Sequence, residues 1–271
     1  MRILLLGSGY IGTALLMLWQ RGPHELWATT TTKEKLKALD KIAAEAILLD
    51  GSQQDLLTKT LSACDGIIIS VAPGKDQSYL NTYLQTAHHI KISLSERTVP
   101  FYILYTSSTS VYGDQKGNAV DENTPLNPLT ENSRILSETE SVYLSCQSAV
   151  VDVCIFRLGG IYGPNRELTN RAKWMTGRDL PGSGNFPTNH SHRDDIVKAI
   201  DFALEKRLTG IYNIVGDEHP TRQELYVTLC SQQNLPPPKW TGSGPSLHGT
   251  NAIVSNAKIK KQGFFFTEKI F

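Results

Sequence analysis

Along the first two thirds of the chain, short apolar runs alternate with stretches whose apolar positions recur every three or four residues. The runs at 2–6, 26–30, 46–49, 66–71, 101–106 and 151–156 are continuously apolar or β-branched. That is the pattern of strands covered on both faces of a parallel sheet. Helical spacing marks residues 12–20, 34–43, 53–62, 78–94 and 133–145 between them. Strand and helix alternating through short connections predict an α/β fold with a doubly wound parallel sheet. No internal repeat interrupts the series. After residue 156 the texture changes. Residues 159–166 and 180–187 are turn-rich, a helix over 194–206 and a strand over 210–215 resume the alternation, and 236–238 and 242–245 are irregular. The expected organisation is a main domain over 1–165, to which 193–215 return, and a small lobe from 166–192 and 216–271. That lobe is expected over the carboxyl ends of the strands, where ligands bind in open α/β sheets.

The first strand runs straight into Gly7-Ser-Gly-Tyr-Ile-Gly12, and an apolar helical stretch follows at once. In the order strand, glycine turn, helix, this G-x-G-x-x-G is a dinucleotide-binding fingerprint. Gly7 permits the tight turn, Gly9 lets the backbone approach a pyrophosphate, and Gly12 lets the helix pack close to the sheet. The N–H groups at the helix start then face the phosphates. An acid about 20 residues further on would hold a ribose hydroxyl. Here the second strand ends in Thr29-Thr30-Thr31-Thr32-Lys33 with no acid among them, and Lys35 follows. Hydroxyls and an ammonium suit a 2′-phosphate that a carboxylate would repel, which favours NADP. The same threonines also serve as strand residues and the lysines as a solvated helix face, so NAD stays open.

Composition narrows the partners. Twenty-seven Lys+Arg against 26 Asp+Glu leave a formal net charge of +1 over 271 residues, which points to neither nucleic acid nor a membrane surface. No long apolar span is present, and a core strand at Met1 leaves no place for a cleavable leader. Four scattered cysteines without C-x-x-C spacing read as reduced thiols of a cytoplasmic protein. The seven histidines lack Cys, Asp or Glu at ligand spacing, so no metal site is expected.

Further segments carry a resemblance. Tyr105-Thr-Ser-Ser-Thr-Ser-Val-Tyr-Gly-Asp114 precedes Val120-Asp-Glu-Asn-Thr-Pro-Leu-Asn-Pro128. Phe156-Arg-Leu-Gly-Gly-Ile-Tyr-Gly-Pro164, Asn189-His-Ser-His-Arg-Asp-Asp195 and Gly210-Ile-Tyr-Asn-Ile-Val-Gly-Asp217 follow in order. With the glycine turn, this set resembles the extended short-chain dehydrogenases/reductases, the NAD-dependent epimerase/dehydratase superfamily. The resemblance implies a Rossmann-type sheet, a C-terminal substrate lobe and a Ser/Thr–Tyr–Lys catalytic group. It also implies cofactor contacts at Gly7, Gly9, Tyr10, Ile11, Gly12, Thr30, Thr31, Lys33, Asp50, Gly51, Val71, Ala72, Ser107, Leu158 and Gly159. The catalytic hydroxyl falls on Ser108, although Ser107 and Thr109 are neighbours of the same kind.

The chain departs from the family at Tyr-x-x-x-Lys. Aligning Glu131-Asn-Ser-Arg-Ile-Leu-Ser-Glu-Thr-Glu140 through Arg134 and the two later acids puts Asn132 at the tyrosine and Leu136 at the lysine. No tyrosine lies between Tyr112 and Tyr143 and no lysine between Lys116 and Lys173. Asn132 hydrogen-bonds but exchanges no proton near neutral pH. This marks an atypical member and leaves two readings. One is an NADP-dependent oxidoreductase or epimerase-like enzyme whose acid/base has moved, with Tyr112 the leading substitute and Arg166 and His192 candidates for small-molecule substrate contact. The other is a non-catalytic NADP-binding or sensing module. Tyr112 reads equally as a packed aromatic and His192 as a helix cap. Helices near 78–94 and 133–145 can pair subunits in a homodimer or simply face the core.

Overall fold

The computed structural model describes residues 1–20, 22–74, 77–242 and 250–271. Residues 243–245, expected to be irregular, lie outside these. In chain order the elements are β1 Arg2–Leu6, α1 Tyr10–Trp19, β2 Glu25–Thr30, α2 Lys33–Leu39, β3 Glu45–Leu48, α3 Gln54–Ser62, β4 Gly66–Ile69, α4 Thr86–Ser93 and β5 Phe101–Ser108. They continue with β6 Asp114–Val120, α5 Glu131–Leu144, β7 Val151–Leu158, β8 Gly160–Tyr162, α6 Leu168–Met175, β9 Asp179–Leu180 and β10 His190–His192. Last come α7 Arg193–Lys206, β11 Gly210–Ile214, α8 Arg222–Ser231, β12 Lys239–Trp240, β13 Asn251–Val254 and α9 Ala257–Lys261.

The chain divides into two compact units. The first comprises Met1–Ser108, Glu131–Arg157 and Ile196–Tyr212. It is built on a seven-stranded sheet of order β11-β7-β5-β4-β1-β2-β3. Parallel registers join Leu5 to Ala28, Leu6 to Ile69, Thr30 to Leu48 and Ile69 to Tyr105. The carboxyl ends of β1 to β5 therefore share one edge of the sheet. The order reverses between β1 and β4, the switch point at which such sheets bind ligands. Alternate residues of the strands (Leu4, Leu6, Ile67, Ile69, Ile103, Tyr105) are buried in one cluster with Leu57 and Leu61 of α3 and Ala87 and Ile90 of α4. α1 is tied to α7 by the Trp19 indole, which donates to Asp201 Oδ1 at 2.6 Å. The Tyr102 phenol donates to the Leu208 carbonyl at 2.7 Å.

The helix expected over 78–94 is not uniform. A π-helical turn, Leu80–Gln85, leads into α4. There the Thr86 hydroxyl donates to the Asn81 carbonyl at 3.3 Å, five residues back. The wider turn seats Thr86 against Gly51, where an added Cβ would lie 1.9 Å from Thr86 Oγ1.

The second unit comprises Thr109–Thr130, Leu158–Asp195 and Asn213–Phe271. Its β6 pairs in parallel with β13, a pairing absent from the hydrophobic pattern because β6, Asp-Gln-Lys-Gly-Asn-Ala-Val, is mostly polar. The Asn189 amide extends the same layer, donating to the Ala252 carbonyl at 2.8 Å and accepting from the Val254 N–H at 2.9 Å. β8 pairs with β10 and β9 with β12. Leu168, Ala172 and Met175 of α6 form one core with Leu225, Tyr226 and Leu229 of α8. A capping box, Thr221 with Glu224, starts α8.

Candidate functional site

In the first unit the three glycines at the end of β1 have three different reasons to be glycine. Gly7 has φ +99°, and an added Cβ would lie 2.6 Å from the Ser70 carbonyl oxygen at the end of β4. A Cβ on Gly12 would lie 2.4 Å from the Gly7 oxygen, so the first turn of α1 rests on the loop itself. Gly9 is different, because no atom of the described residues lies within 4 Å of its Cβ position. Among the described residues its bareness serves no packing, and it leaves open backbone at the start of a ten-residue helix that carries no side-chain cap. The Ser8 hydroxyl is buried beside it without a hydrogen-bond partner among the described residues. A bare helix start, an open Gly9 and an orphaned hydroxyl fit a pyrophosphate. The loop is held from below, since the Gly7 N–H donates to Thr29 Oγ1 at 3.0 Å and the Ser8 N–H to the Thr29 carbonyl at 3.1 Å. Tyr10 and Ile11 open α1, with Ile11 buried.

The neighbouring strand ends contribute the rest of this edge. Thr30 is buried and its Oγ1 accepts from the Thr32 N–H at 3.2 Å, while Thr31, Thr32, Lys33 and Lys35 are exposed. After β3, the Asp50 carboxylate is occupied within its own turn by the Ser52 N–H at 2.8 Å. Gly51 is clasped by Thr86 and by His89, whose Nδ1 lies 2.6 Å from the Gly51 carbonyl. Val71, half-buried, and Ala72, exposed, follow β4.

At the end of β5 the structure contains a feature that sequence reading missed. Ser107 Oγ donates to Glu140 Oε1 at 2.6 Å, and Arg157 grips the same carboxylate through Nε at 3.1 Å and Nη2 at 2.7 Å. Both ionic side chains are buried, 2 % and 3 % exposed. This fork-on-carboxylate geometry ties α5 to β5 and β7 beside Ser108. In the sequence Glu140 is only an alignment point, because nothing in a sequence tells a helix-buried acid from a solvated one. On the same helix Asn132 is exposed and Leu136 buried.

Within the second unit, Tyr112 is fully buried and its phenol donates to Asn213 Oδ1 at 2.8 Å, in a cluster with Val120, Val215, Ala252 and Val254. Leu158 is buried. Gly159 lies so close to Asn189 that a Cβ would sit 2.6 Å from its carbonyl oxygen, and its N–H donates to Ser191 Oγ at 2.7 Å. Arg166 is exposed after a turn in which its N–H bonds the Gly163 carbonyl. His192 Nδ1 accepts from the Asp194 N–H at 3.3 Å, capping α7. A lone pair used in this way competes with the 3.9 Å approach of Glu268 to the same nitrogen, which requires a protonated ring. Burial pushes the Tyr162 phenol up to about 12.

Among the described histidines His190 is the one shifted furthest. Burial, then Arg171, His219 and Arg222, push it down to about 4. A folded-state value below the unfolded one near 6.5 means that the unfolded chain binds the proton first. The stabilisation is complete above about pH 6.5 and is lost as pH falls toward 4, amounting to about 3 kcal/mol. Urea unfolding at pH 7 and pH 5 is expected to show this decline, with a shallower one in His190→Asn. Equal slopes in the two proteins would refute the assignment.

Among the described residues no group of His, Cys, Asp and Glu is placed to hold a metal ion, and no helix is long and apolar enough to cross a membrane. Comparison with known proteins adds the following. A model of the NAD dependent epimerase/dehydratase family matches residues 3–215. Protein YeeZ of Escherichia coli (strain K12) is 29 % identical over 264 residues, covering 95 % of this chain and 92 % of that protein. The fold is similar to UDP-glucuronic acid 4-epimerase from Bacillus cereus, solved with UDP-glucuronic acid and NAD: TM-score 0.83, 19 % identity, 100 % of this chain and 95 % of that one. It is similar also to DesIV, the dTDP-glucose 4,6-dehydratase of Streptomyces venezuelae, solved with NAD: TM-score 0.83, 19 % identity, 99 % of this chain and 93 % of that one.

Proposed function

The chain belongs to the NAD dependent epimerase/dehydratase family, and from that premise we propose that it is an NADP-dependent oxidoreductase or epimerase-like enzyme acting on a small hydroxyl- or carbonyl-bearing molecule. The observation that carries this reading is the open backbone at Gly9, beside the orphaned Ser8 hydroxyl, at the switch point of the sheet. Gly7, Gly9, Gly12 and the start of α1 would hold the pyrophosphate, and Asp50 and Gly51 would line the adenine side. Thr31, Thr32, Lys33 and Lys35 are exposed where a 2′-phosphate would need donors, which supports NADP, although the solved relatives named above hold NAD. When bound, the nicotinamide supplies hydride transfer.

The chain's own residues would do the rest. Ser108 would hydrogen-bond the reacting oxygen, while the Glu140–Arg157 pair, through Ser107, fixes the end of the strand that carries it. Asn132 and Leu136 align where the family has its tyrosine and lysine; Asn132 can hydrogen-bond, Leu136 can neither bond the ribose nor supply charge, and neither can relay a proton. Tyr112 is assigned to packing, since its buried phenol bonds Asn213. The non-catalytic alternative draws on the same two substitutions.

The test is NADPH and NADH titration followed by a screen of aldehydes, ketones and nucleotide sugars for oxidation of bound NADPH. NADPH is expected to bind more tightly. Ser108→Ala is expected to lower turnover by about 10²-fold or more, and Tyr112→Phe to leave it nearly intact. Tighter NADH binding would remove the NADP preference. The absence of oxidation with every compound would favour the binding module.

A further inference from the structure

In the first unit, α4 carries two rows of side chains with different tasks. Ala87, Ile90 and Leu94 enter the hydrophobic core. Thr86, His89 and Ser93 are spaced to share another face of the helix, and they form a polar row toward α3 and the turn after β3. Helix packing needs no such row, and each polar group in it costs desolvation unless it is hydrogen-bonded. Most of the row serves to fix His89. The Gln54 amide of α3 donates to the His89 carbonyl at 3.2 Å and to Ser93 Oγ at 3.0 Å, and Ser93 Oγ donates to the His89 carbonyl at 2.9 Å. The imidazole points the other way, with Nδ1 2.6 Å from the Gly51 carbonyl oxygen. A carbonyl only accepts, so Nδ1 is the nitrogen that carries a proton.

The turn that receives this bond is otherwise closed on itself. The Ser52 N–H donates to the Asp50 carboxylate at 2.8 Å and the Asp50 N–H to Gln53 Oε1 at 3.1 Å. Among the described residues, the hydrogen bond that reaches Asp50–Ser52 from another element is the one from His89. Gly51 also lets Thr86 close against the backbone, since a side chain there would overlap that of Thr86. Two side chains three residues apart thus grip one peptide from behind. The π-helical turn Leu80–Gln85 aims them. An extra residue in one turn rotates everything after it by about 100°, a departure kept mostly where a site depends on it. A loop held in this way has no ordering left to do when a ligand arrives.

The geometry points to His89 as a positioning residue that presets the Asp50–Gly51 turn for the adenine half of the dinucleotide, with Thr86 as its abutment. This deepens the functional reading and rests on it for the identity of the ligand. The test titrates the full chain with NADPH, with ADP, which lacks the nicotinamide half, and with reduced nicotinamide mononucleotide, which lacks the adenine half. His89→Leu is expected to weaken NADPH and ADP by about tenfold, the loss of one hydrogen bond, and to leave the mononucleotide unchanged. His89→Asn keeps a donor near the place of Nδ1 and is expected to stay within about threefold of the wild type. Ser93→Ala cuts the same polar row on the side away from Gly51, and is expected to lower Tm while leaving all three affinities as they are. His88→Leu, on the exposed neighbour, is expected to bind as the wild type does. Unaltered NADPH and ADP binding in His89→Leu, equal losses for ADP and the mononucleotide, or no recovery in His89→Asn would each overturn the proposal while leaving the cofactor reading in place. A wild-type chain that binds neither NADPH nor ADP would overturn both.

Discussion

Glu140→Ala is expected to lower folding stability by about 3–5 kcal/mol, the cost of stranding a buried guanidinium. The carboxylate accepts from Arg157 through two nitrogens and from Ser107, and neither ionic side chain has appreciable access to water. Its removal leaves Arg157 with a desolvated charge on a central strand, and the Ser107 hydroxyl loses its acceptor. Urea denaturation at neutral pH measures the loss. The double variant Glu140→Met/Arg157→Met is expected to recover most of it, because two apolar side chains of similar volume need no partner. A loss below about 1 kcal/mol in the single variant would place the pair among exposed ion pairs and contradict the burial.

The second large effect separates binding from stability. Gly9→Ala places its methyl where no atom of the described residues lies within 4 Å, so unfolding is expected to shift by less than about 1 kcal/mol. Dinucleotide affinity is nevertheless expected to fall by roughly 10- to 100-fold, the equivalent of about 1–3 kcal/mol of overpacking against a ligand seated on that backbone. Gly7→Ala is the contrasting case. Its backbone is left-handed and its methyl would meet the Ser70 carbonyl, so stability and affinity are expected to fall together. NADPH fluorescence and thermal unfolding on the two variants read both quantities. Unchanged affinity in Gly9→Ala would move the dinucleotide away from this turn.

The central sheet was legible because its strands are buried on both faces and therefore apolar throughout. The glycine turn was legible because its spacing is sterically required. β6 escaped notice because its polar run is held by a partner more than a hundred residues away and not by a hydrophobic face. Glu140 and Arg157 escaped because helix-on-strand packing, which no local pattern encodes, takes them out of water. His190 sits in Asn-His-Ser-His, a stretch that reads as a polar loop until Gly160 is seen to leave room for the ring.

The β6–β13 pair also governs the order in which the protein can be finished. At ordinary rates of synthesis, roughly 10 s separate the emergence of Asp114 from that of Asn251, and among the described residues no other strand pairs with β6. Until then one edge of β6 waits unpaired in a crowded cell. An apolar edge in that position would recruit neighbouring nascent chains. The aspartate, lysine, glycine and asparagine that hide this strand from the hydrophobic pattern make the waiting edge a poor template for such pairing.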